Sequence, residues 1–328
     1  MNMGFAIWRA PGENPVGLQG EFQTADLADI NVDEGFVFKP WDGQAHCYYL
    51  RGQLYSDIGL LQGWTDAIKI AEPANQQVMQ PSAWQEYIDN IKRHIALGNV
   101  QKVVAARQMI GNISVSLFNA FLTACECYPE AFVSIVYQPQ YGAWIGATPE
   151  ILIQPRGEGW ETVSMAGTLL EEGADWTGKE IDENAATQQF LEHVLNEMGA
   201  QIIESGKADV IRAGALRHLV KHYRFSLPNS NILALTARLH PTPAVGGFPR
   251  ERALSIIDTY EHKNRGLFSG YLGYFRGGKP HFWVNLRCCE WQGTQAVLYA
   301  GAGINALSKA DAEWAETAAK MQTIGSCL

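Results

Sequence analysis

The region 131–147 is the most apolar part of the chain, and it constrains the fold most. Gln138, Gln140 and Gly142 interrupt it, so neither apolar run reaches the roughly 18 consecutive apolar residues that a membrane span needs. Two short apolar runs on either side of polar and glycine residues are typical of two core strands joined by a turn. This region therefore predicts an antiparallel strand pair in the interior of a globular protein.

The other strand and helix patterns follow each other in mixed order. Strands are predicted at 102–107, 132–137, 143–147, 162–166, 269–275, 282–287 and 296–300, and helices at 81–98, 114–127, 179–204, 232–239, 250–260 and 311–324. Hairpin-like strand pairs without regular strand–helix alternation favour an α+β fold over a doubly wound sheet. We expect one large domain of extended antiparallel sheets layered with helices. Residues 1–80 would form its strand-rich N-terminal part, and residues 81–328 its catalytic region.

Two helix ends are predicted from local signals. Ser82 and Gln85 have the spacing of a capping box, which indicates the start of the first of these helices. The longest helix, 179–204, carries an apolar face that extends to Ile203. The pair Ser205-Gly206 that follows is its predicted stop signal.

Charge argues against one class of partner. The chain has 34 acidic and 25 basic residues, a formal net charge of −9, and no run of Lys or Arg. Nucleic-acid-binding proteins usually carry a basic patch or stripe, so no nucleic acid partner is expected. An anionic small-molecule substrate would need a local cluster of cations and amides.

Cysteine use and the N-terminus bear on the cellular location. None of the six cysteines lies in a CxxC pair, so a structural zinc site has little support, and small buried thiols in a reducing compartment are expected. The N-terminal residues show no charged segment followed by a long apolar run, as a secretory signal would. We expect a cytoplasmic monomer without membrane contact.

Lys102 and Glu150 are candidates for acid–base chemistry. Lys102 lies beside Val103 and Val104, where burial would lower its pKa and allow it to act as a base. Glu150 follows a predicted strand, and an apolar pocket would raise its pKa and let it donate a proton. On spacing alone, an edge-strand lysine and a solvent-facing glutamate remain open alternatives.

Other polar residues suggest a metal and an anion site. Glu183 and Glu316 lie on separate predicted helices, and Mg²⁺ typically takes one or two carboxylates together with substrate oxygens and waters. A solvated helix face is the alternative for either residue. Gly301, in a glycine-rich strand end, could let backbone N–H groups approach an anion, with Arg287 and Lys320 as cations.

The clusters together resemble the family of chorismate-utilising enzymes, which includes isochorismate, salicylate, anthranilate and aminodeoxychorismate synthases. The similarity covers roughly residues 80–328, and its motifs run in family order. They are KVVAAR (Lys102–Arg107), GATPEIL (Gly146–Leu152), MAGT (Met165–Thr168), KEIDEN (Lys179–Asn184), HPTPAVGGFPR (His240–Arg250), RGLFSGYLGYF (Arg265–Phe275), NLRCC (Asn285–Cys289), YAGAGI (Tyr299–Ile304) and EWAETAAK (Glu313–Lys320).

The resemblance implies a fold like that of anthranilate synthase component I, with the site in a deep central cleft, and a reaction on chorismate. It implies a general base for water at Lys102, a general acid for the leaving C4 hydroxyl at Glu150, and Mg²⁺ ligands at Glu183 and Glu316. The residues that it places around the substrate are Gly167, Thr168, His218, Ala244, Val245, Arg287, Gly301 and Lys320.

The resemblance also favours one branch of the family. Aminating relatives carry glutamine in place of Lys102, and no glutaminase domain is present, so water addition and an isochorismate synthase are expected. Its product would enter menaquinone or siderophore synthesis. A salicylate synthase, an aminating enzyme and a non-catalytic binding subunit remain alternatives. Asn184 stands where the family carries histidine.

Overall fold

The computed structural model describes residues 3–41, 46–70, 78–169, 175–213, 216–261 and 264–328. Its helices are α1 (Ile58–Ala67), α2 (Pro81–Ala96), α3 (Leu117–Cys127), α4 (Gly178–Glu197), α5 (Ile232–Leu239), α6 (Arg250–Tyr260) and α7 (Ala310–Gly325). Its strands are β1 (Met3–Arg9), β2 (Val16–Glu21), β3 (Gln23–Ala25), β4 (Gly35–Lys39), β5 (Cys47–Arg51), β6 (Lys102–Asn112), β7 (Phe132–Gln138), β8 (Gly142–Thr148), β9 (Ile151–Arg156), β10 (Gly159–Leu169), β11 (Gln201–Ser205), β12 (Asp209–Ala213), β13 (Leu216–Ser226), β14 (Gly247–Phe248), β15 (Tyr271–Arg276), β16 (Lys279–Val284), β17 (Cys288–Gln292) and β18 (Gln295–Ile304).

The described strands form two antiparallel sheets. One has the order β14-β6-β18-β17-β8-β7-β1-β2, and the other has the order β11-β13-β10-β9-β16-β15-β4-β5-β3, with β12 also paired to β13. Helices α3 and α7 pack on the first sheet, and α4 packs on β10 and β13 of the second. This layering confirms the expected α+β domain of antiparallel sheets and helices.

The apolar region 131–147 forms the predicted strand pair. β7 and β8 are antiparallel neighbours with Ile135 opposite Ile145, and Gly142 takes a φ of 73° where the turn enters β8. Both isoleucines are fully buried in a core cluster that also contains residues of α3 and α7. Strand alternation thus gives the first sheet a face on which these two helices can bury their own apolar sides.

The longest predicted helix is wrong in its last turns. α4 ends at Glu197, and Gly199 follows in the left-handed conformation (φ 71°) that commonly terminates helices. The next residues form the edge strand β11, in which Ile203 is 59% exposed and does not join the apolar helix face. The β-branched pair at 202–203 suits a strand, and β11 pairs with β13.

The start of α2 and one whole helix also differ from expectation. α2 begins at Pro81 with Gln80 as the residue before it, and no side chain caps it, so the capping box of Ser82 and Gln85 is wrong. Proline is well suited to the first helical position because its φ is fixed and it needs no N–H partner there. α1 lies in the part expected to be rich in strands, where no helix was predicted. Among the described residues, no helix has the length and apolar character needed to cross a membrane.

Candidate active site

Residues of both sheets line one cavity. The strands β6 and β18 of the first sheet and β10 and β13 of the second contribute to its wall, together with α4 and α7. All but one of the residues predicted for the site line it: Lys102, Glu150, Gly167, Thr168, His218, Ala244, Val245, Arg287, Gly301 and Lys320, with Glu183. The remaining one, Glu316, forms an ion pair with the cavity residue Lys320 at 2.6 Å.

Lys102 and Glu150 are both buried in this cavity, at 3% and 2% exposure. Lys102 begins β6 and faces inward, and burial lowers its pKa although Glu183 opposes this effect. Glu150 follows the end of β8, and burial raises its pKa to about 8 although Lys102 opposes this effect. A lysine shifted toward its neutral form and a glutamate shifted toward its protonated form therefore face the same space.

A lysine of α4 and two carboxylates of α7 form a cluster beside the cavity. Lys179 of α4 places its Nζ 2.9 Å from Glu313 and 3.3 Å from Glu316, both on α7. Burial opposes the charge of Glu316, but Lys320 and Lys179 outweigh it and hold the pKa of Glu316 at about 2. The same cluster raises the pKa of Lys179, because its carboxylates outweigh the effect of burial.

Glu183 provides a buried carboxylate oxygen without a hydrogen-bond donor among the described residues. Its Oε1 is buried, accepts no hydrogen bond from the described residues, and lies 3.9 Å from Lys102 Nζ. Burial raises the pKa of Glu183. The described residues contain no group of three or more His, Cys, Asp or Glu close enough to hold a metal. A buried oxygen without a donor fits Mg²⁺, which needs few protein ligands when substrate and water supply the others.

Arg287, His218 and Thr168 form a chain of hydrogen bonds along one wall. Arg287 Nη2 donates to His218 Nε2 at 2.8 Å, so the ring proton of His218 lies on Nδ1, 3.1 Å from Thr168 Oγ1. Burial and the neighbouring Arg287 hold the pKa of His218 well below its usual range. Thr168 Oγ1 accepts a hydrogen bond from this ring N–H, which leaves its own O–H to donate to another group.

Arg287 has two further features of a binding residue. Its Nη1 is buried and has no hydrogen-bond partner among the described residues, which suits a ligand anion. Its backbone lies in the left-handed region with φ 51°, a conformation that costs energy for a residue with a side chain. The guanidinium lies in the cavity wall next to His218.

Glycines bring backbone close to the cavity at two positions. Gly167 (φ 84°) lies against α4, where a Cβ would stand 2.8 Å from the carbonyl oxygen of Glu180. On β18, the carbonyl of Gly301 accepts a bond from Lys320 Nζ at 2.9 Å, which holds that ammonium beside the strand. Gly301 itself has Val104 as its nearest side-chain neighbour.

Two charged residues of the cluster were missed in the sequence. Lys179 lies within the KEIDEN motif, and Glu313 lies one helical turn before Glu316. Both are the kind of residue that usually covers a solvated helix face. The (i, i+3) spacing of the two α7 glutamates is the signal that indicated a shared surface.

The described geometry can be compared with known proteins. The sequence profile of a family described as "Chorismate binding enzyme" matches residues 64–328, most of the chain. The chain belongs to this family. The matched segment contains every residue that lines the cavity. The cavity therefore lies within the part of the chain that resembles the family.

Individual relatives agree with this assignment. The isochorismate synthase EntC of Escherichia coli is 31% identical over 196 residues, which are 56% of this chain and 50% of EntC. The vibriobactin-specific isochorismate synthase of Vibrio cholerae is 34% identical over 194 residues, 55% of this chain and 49% of that protein. The chain thus spans about half the length of the curated relatives it matches.

Solved structures confirm the fold of the chorismate-binding enzyme. The putative 2,3-dihydroxybenzoate-specific isochorismate synthase DhbC of Bacillus anthracis superposes with a TM-score of 0.80 at 22% identity. That superposition covers 98% of this chain and 95% of the other.

Proposed function

We propose that this chorismate-binding enzyme is an isochorismate synthase, which converts chorismate to isochorismate. The observation that supports this most is the presence of Lys102 and Glu150, with opposite pKa shifts, in one buried cavity. Neutral Lys102 takes a proton from a water molecule, whose oxygen bonds to C2 of the ring. Glu150 gives its proton to the C4 hydroxyl, which leaves as water while the ring double bonds shift. One water is consumed and one released, so the product is an isomer.

The cationic wall suits the carboxylates of chorismate. Arg287 offers the unpartnered Nη1, and Thr168 offers its hydroxyl proton. Lys320 holds its ammonium beside Gly301 of β18. Ala244 and Val245 add the apolar surface that a ring needs. These residues would orient the substrate between the base and the acid.

We propose Mg²⁺ as the cofactor, held by Glu183 and Glu316. Glu183 Oε1, which accepts no hydrogen bond from the described residues, and Glu316, whose pKa is held low by Lys320 and Lys179, are the groups that fit it. When bound, the ion would neutralise a substrate carboxylate and help to fix the ring. Glu183 and Glu316 contribute their charge and their positions on α4 and α7, and Lys179 neutralises part of the cluster.

Lys102 favours water over ammonia as the nucleophile. A glutamine, which aminating relatives carry at this position, has no basic nitrogen, whereas a lysine of lowered pKa can accept a proton from water. The isochorismate synthases among the relatives support the same choice. Elimination of pyruvate to give salicylate would be a second step on the same intermediate.

The test is an incubation of the purified chain with chorismate and MgCl₂, followed by liquid chromatography, with a sample lacking protein as control. We expect isochorismate to appear in proportion to protein. Salicylate with equimolar pyruvate would assign the chain to the salicylate synthases. Formation of an aminated product when ammonium is added, or no product at all, would contradict the proposal.

A further inference from the structure

Asn184 connects one helix to two strands at the edge of the cavity. It lies on α4, is 2% exposed, and its Nδ2 donates to the carbonyl oxygens of Ala166 (3.0 Å) and Leu219 (3.1 Å). Ala166 of β10 and Leu219 of β13 are opposite each other in the sheet. A single side-chain amide therefore uses both of its N–H groups on the two strands of one pair.

Ala166 and Leu219, to which Asn184 donates, are the last strand pair before a β-bulge. After Ala166 and Leu219 the register shifts, Gly167 has no partner, and the next pair is Thr168 with His218. Bulges turn side chains in a new direction and are frequent next to active sites. Here the bulge brings Thr168 Oγ1 to 3.1 Å from His218 Nδ1 in the cavity wall.

Asn184 is the innermost member of a polar series between α4 and β13. Gln188, one turn later, donates through its Nε2 to Asn184 Oδ1 and accepts from Lys221 Nζ at 3.4 Å. Lys221 also donates to Glu192, another turn along, which accepts from the Tyr223 hydroxyl at 2.9 Å. The donor Gln188 fixes the orientation of the Asn184 amide, so its NH₂ group faces the two carbonyls.

We propose that Asn184 is a positioning residue, which holds the bulge so that Thr168 presents its hydroxyl to the substrate. Because it adjoins Glu183 on α4, it also fixes how the helix places that carboxylate at the cavity. This inference rests on the proposed function for the identity of the ligand. The bulge can be probed separately from turnover, which provides an independent test.

Three substitutions separate the donor role from packing. Asn184→Asp keeps the shape, but an ionised carboxylate only accepts hydrogen bonds and would face two carbonyl oxygens. Asn184→Ala removes the bonds and leaves space. Asn184→His retains an N–H that can serve one carbonyl. The control is Thr236→Ala on α5, which removes a fully buried hydroxyl bonded to Ile232 without touching the cavity.

Steady-state kinetics should show a binding defect. We expect Asn184→Ala and Asn184→Asp to raise the KM for chorismate and the Mg²⁺ half-saturation about tenfold each, with kcat changed less than about threefold. The acid and the base lie on other elements, so the chemical step is spared. Asn184→His should recover most of the loss, and Thr236→Ala should leave KM unchanged while lowering Tm.

Amide hydrogen exchange of the ligand-free protein measures directly how well the backbone amides around the bulge are protected. A peptide covering residues 159–169 should exchange faster in Asn184→Ala than in wild type, and at the wild-type rate in Thr236→Ala. Unchanged exchange and unchanged KM in Asn184→Ala would overturn the proposal. Equal KM changes in Asn184→Ala and Thr236→Ala would also overturn it, since lost stability would then explain them. Failure of wild type to convert chorismate would contradict the proposed function alone.

Discussion

Lys102 Nζ lies 3.9 Å from Glu183 Oε1 inside the cavity, although the two residues come from β6 and α4. The side chains are 4% and 5% exposed, so little water screens them. Glu183 favours the charged form of Lys102, and burial disfavours it more strongly. The proposed base and the proposed metal ligand are therefore coupled, and a change at Glu183 is expected to act on both functions.

The first prediction concerns two glutamates one helical turn apart. Glu180 closes a capping box with Thr177, whose N–H and hydroxyl both donate to Glu180 Oε2, whereas Glu183 Oε1 accepts no hydrogen bond from the described residues. We expect Glu183→Gln to abolish most activity and to weaken Mg²⁺ dependence. Glu180→Gln should lower stability by only about 1 kcal/mol through the cap.

Mg²⁺ titrations of activity, paired with thermal unfolding, separate these two effects. Glu180→Gln should keep the wild-type Mg²⁺ half-saturation at a slightly lower Tm. If Glu180→Gln were instead the more damaging change for activity, the metal ligand would lie one helical turn earlier than proposed.

The second prediction addresses the acid and the base. Water is a poor nucleophile and hydroxide is a poor leaving group, so proton transfer at each end of the reaction should matter. We expect Lys102→Ala and Glu150→Gln each to lower kcat by about 10²–10⁴-fold. Chorismate binding should largely persist, because Arg287 and Lys320 remain. Near-normal turnover in Lys102→Ala would refute the assignment of Lys102 as the general base. It would also remove the argument that water, and not ammonia, is the nucleophile. Lys102→Gln assayed with ammonium offers a second test, since it restores the residue of the aminating relatives.

The sequence predicted the site residues better than their surroundings. The resemblance to the family, and not the spacing of the residues, implied that Lys102, Glu150 and Arg287 share one site, and all three line the same cavity. The strand pair at 131–147 followed from two short apolar runs on either side of polar and glycine residues. Of these two predictions, only the strand pair required no knowledge of distant contacts.

What the sequence did not predict depends on tertiary contacts. The end of α4 at Glu197 is set by Gly199 and by the pairing of β11 with β13, while the apolar pattern continued past both. Lys179 and Glu313 have the composition of a solvated helix face, and only the packing of α4 near α7 buries them. Helix periodicity carries no information on which partner covers a face.

The third prediction tests that buried charge cluster. Lys179 is 12% exposed at its side chain and contacts Glu313 at 2.9 Å, so Lys179→Met would leave the buried Glu313 carboxylate without its cation. We expect a loss of about 3–5 kcal/mol in the free energy of unfolding. Arg238→Met is the control, since its pair with Glu197 is shorter, at 2.6 Å, but half exposed. An exposed pair contributes about 0–1 kcal/mol.

Denaturant unfolding without added metal would measure both variants. Equal losses for Lys179→Met and Arg238→Met would contradict the view that burial, and not distance, decides the contribution of these pairs.

The fourth prediction follows from the raised pKa of Glu150, about 8. Only its protonated form can donate to the leaving hydroxyl, so this form is present below the pKa and is lost as pH rises through it. We expect kcat/KM to fall on the alkaline side with a midpoint near pH 8 in wild type. Glu150→Gln, which cannot titrate, should be slow throughout and lack this decline. A decline that persists unchanged in Glu150→Gln would assign it to another group.

The last prediction concerns Gly303, whose lack of a side chain leaves space for the proposed base and the proposed metal ligand. Gly303 of β18 faces the cavity, and a Cβ there would overlap the Glu183 carboxylate, with Glu183 Cδ and Lys102 Cε each only 2.7 Å away. We expect Gly303→Ala to displace both side chains and lower kcat/KM by about 100-fold or more, because misplacements of about 1 Å already have effects of that size.

Gly63→Ala on the exposed face of α1 is the control, as a Cβ there meets nothing within 4 Å. Alanine should raise the stability of that helix by up to about 1 kcal/mol and leave kinetics unchanged. Steady-state assays and thermal unfolding of both variants give the comparison. Wild-type kcat/KM in Gly303→Ala would show that Lys102 and Glu183 can move apart without loss, and their proposed roles in one shared site would then be wrong.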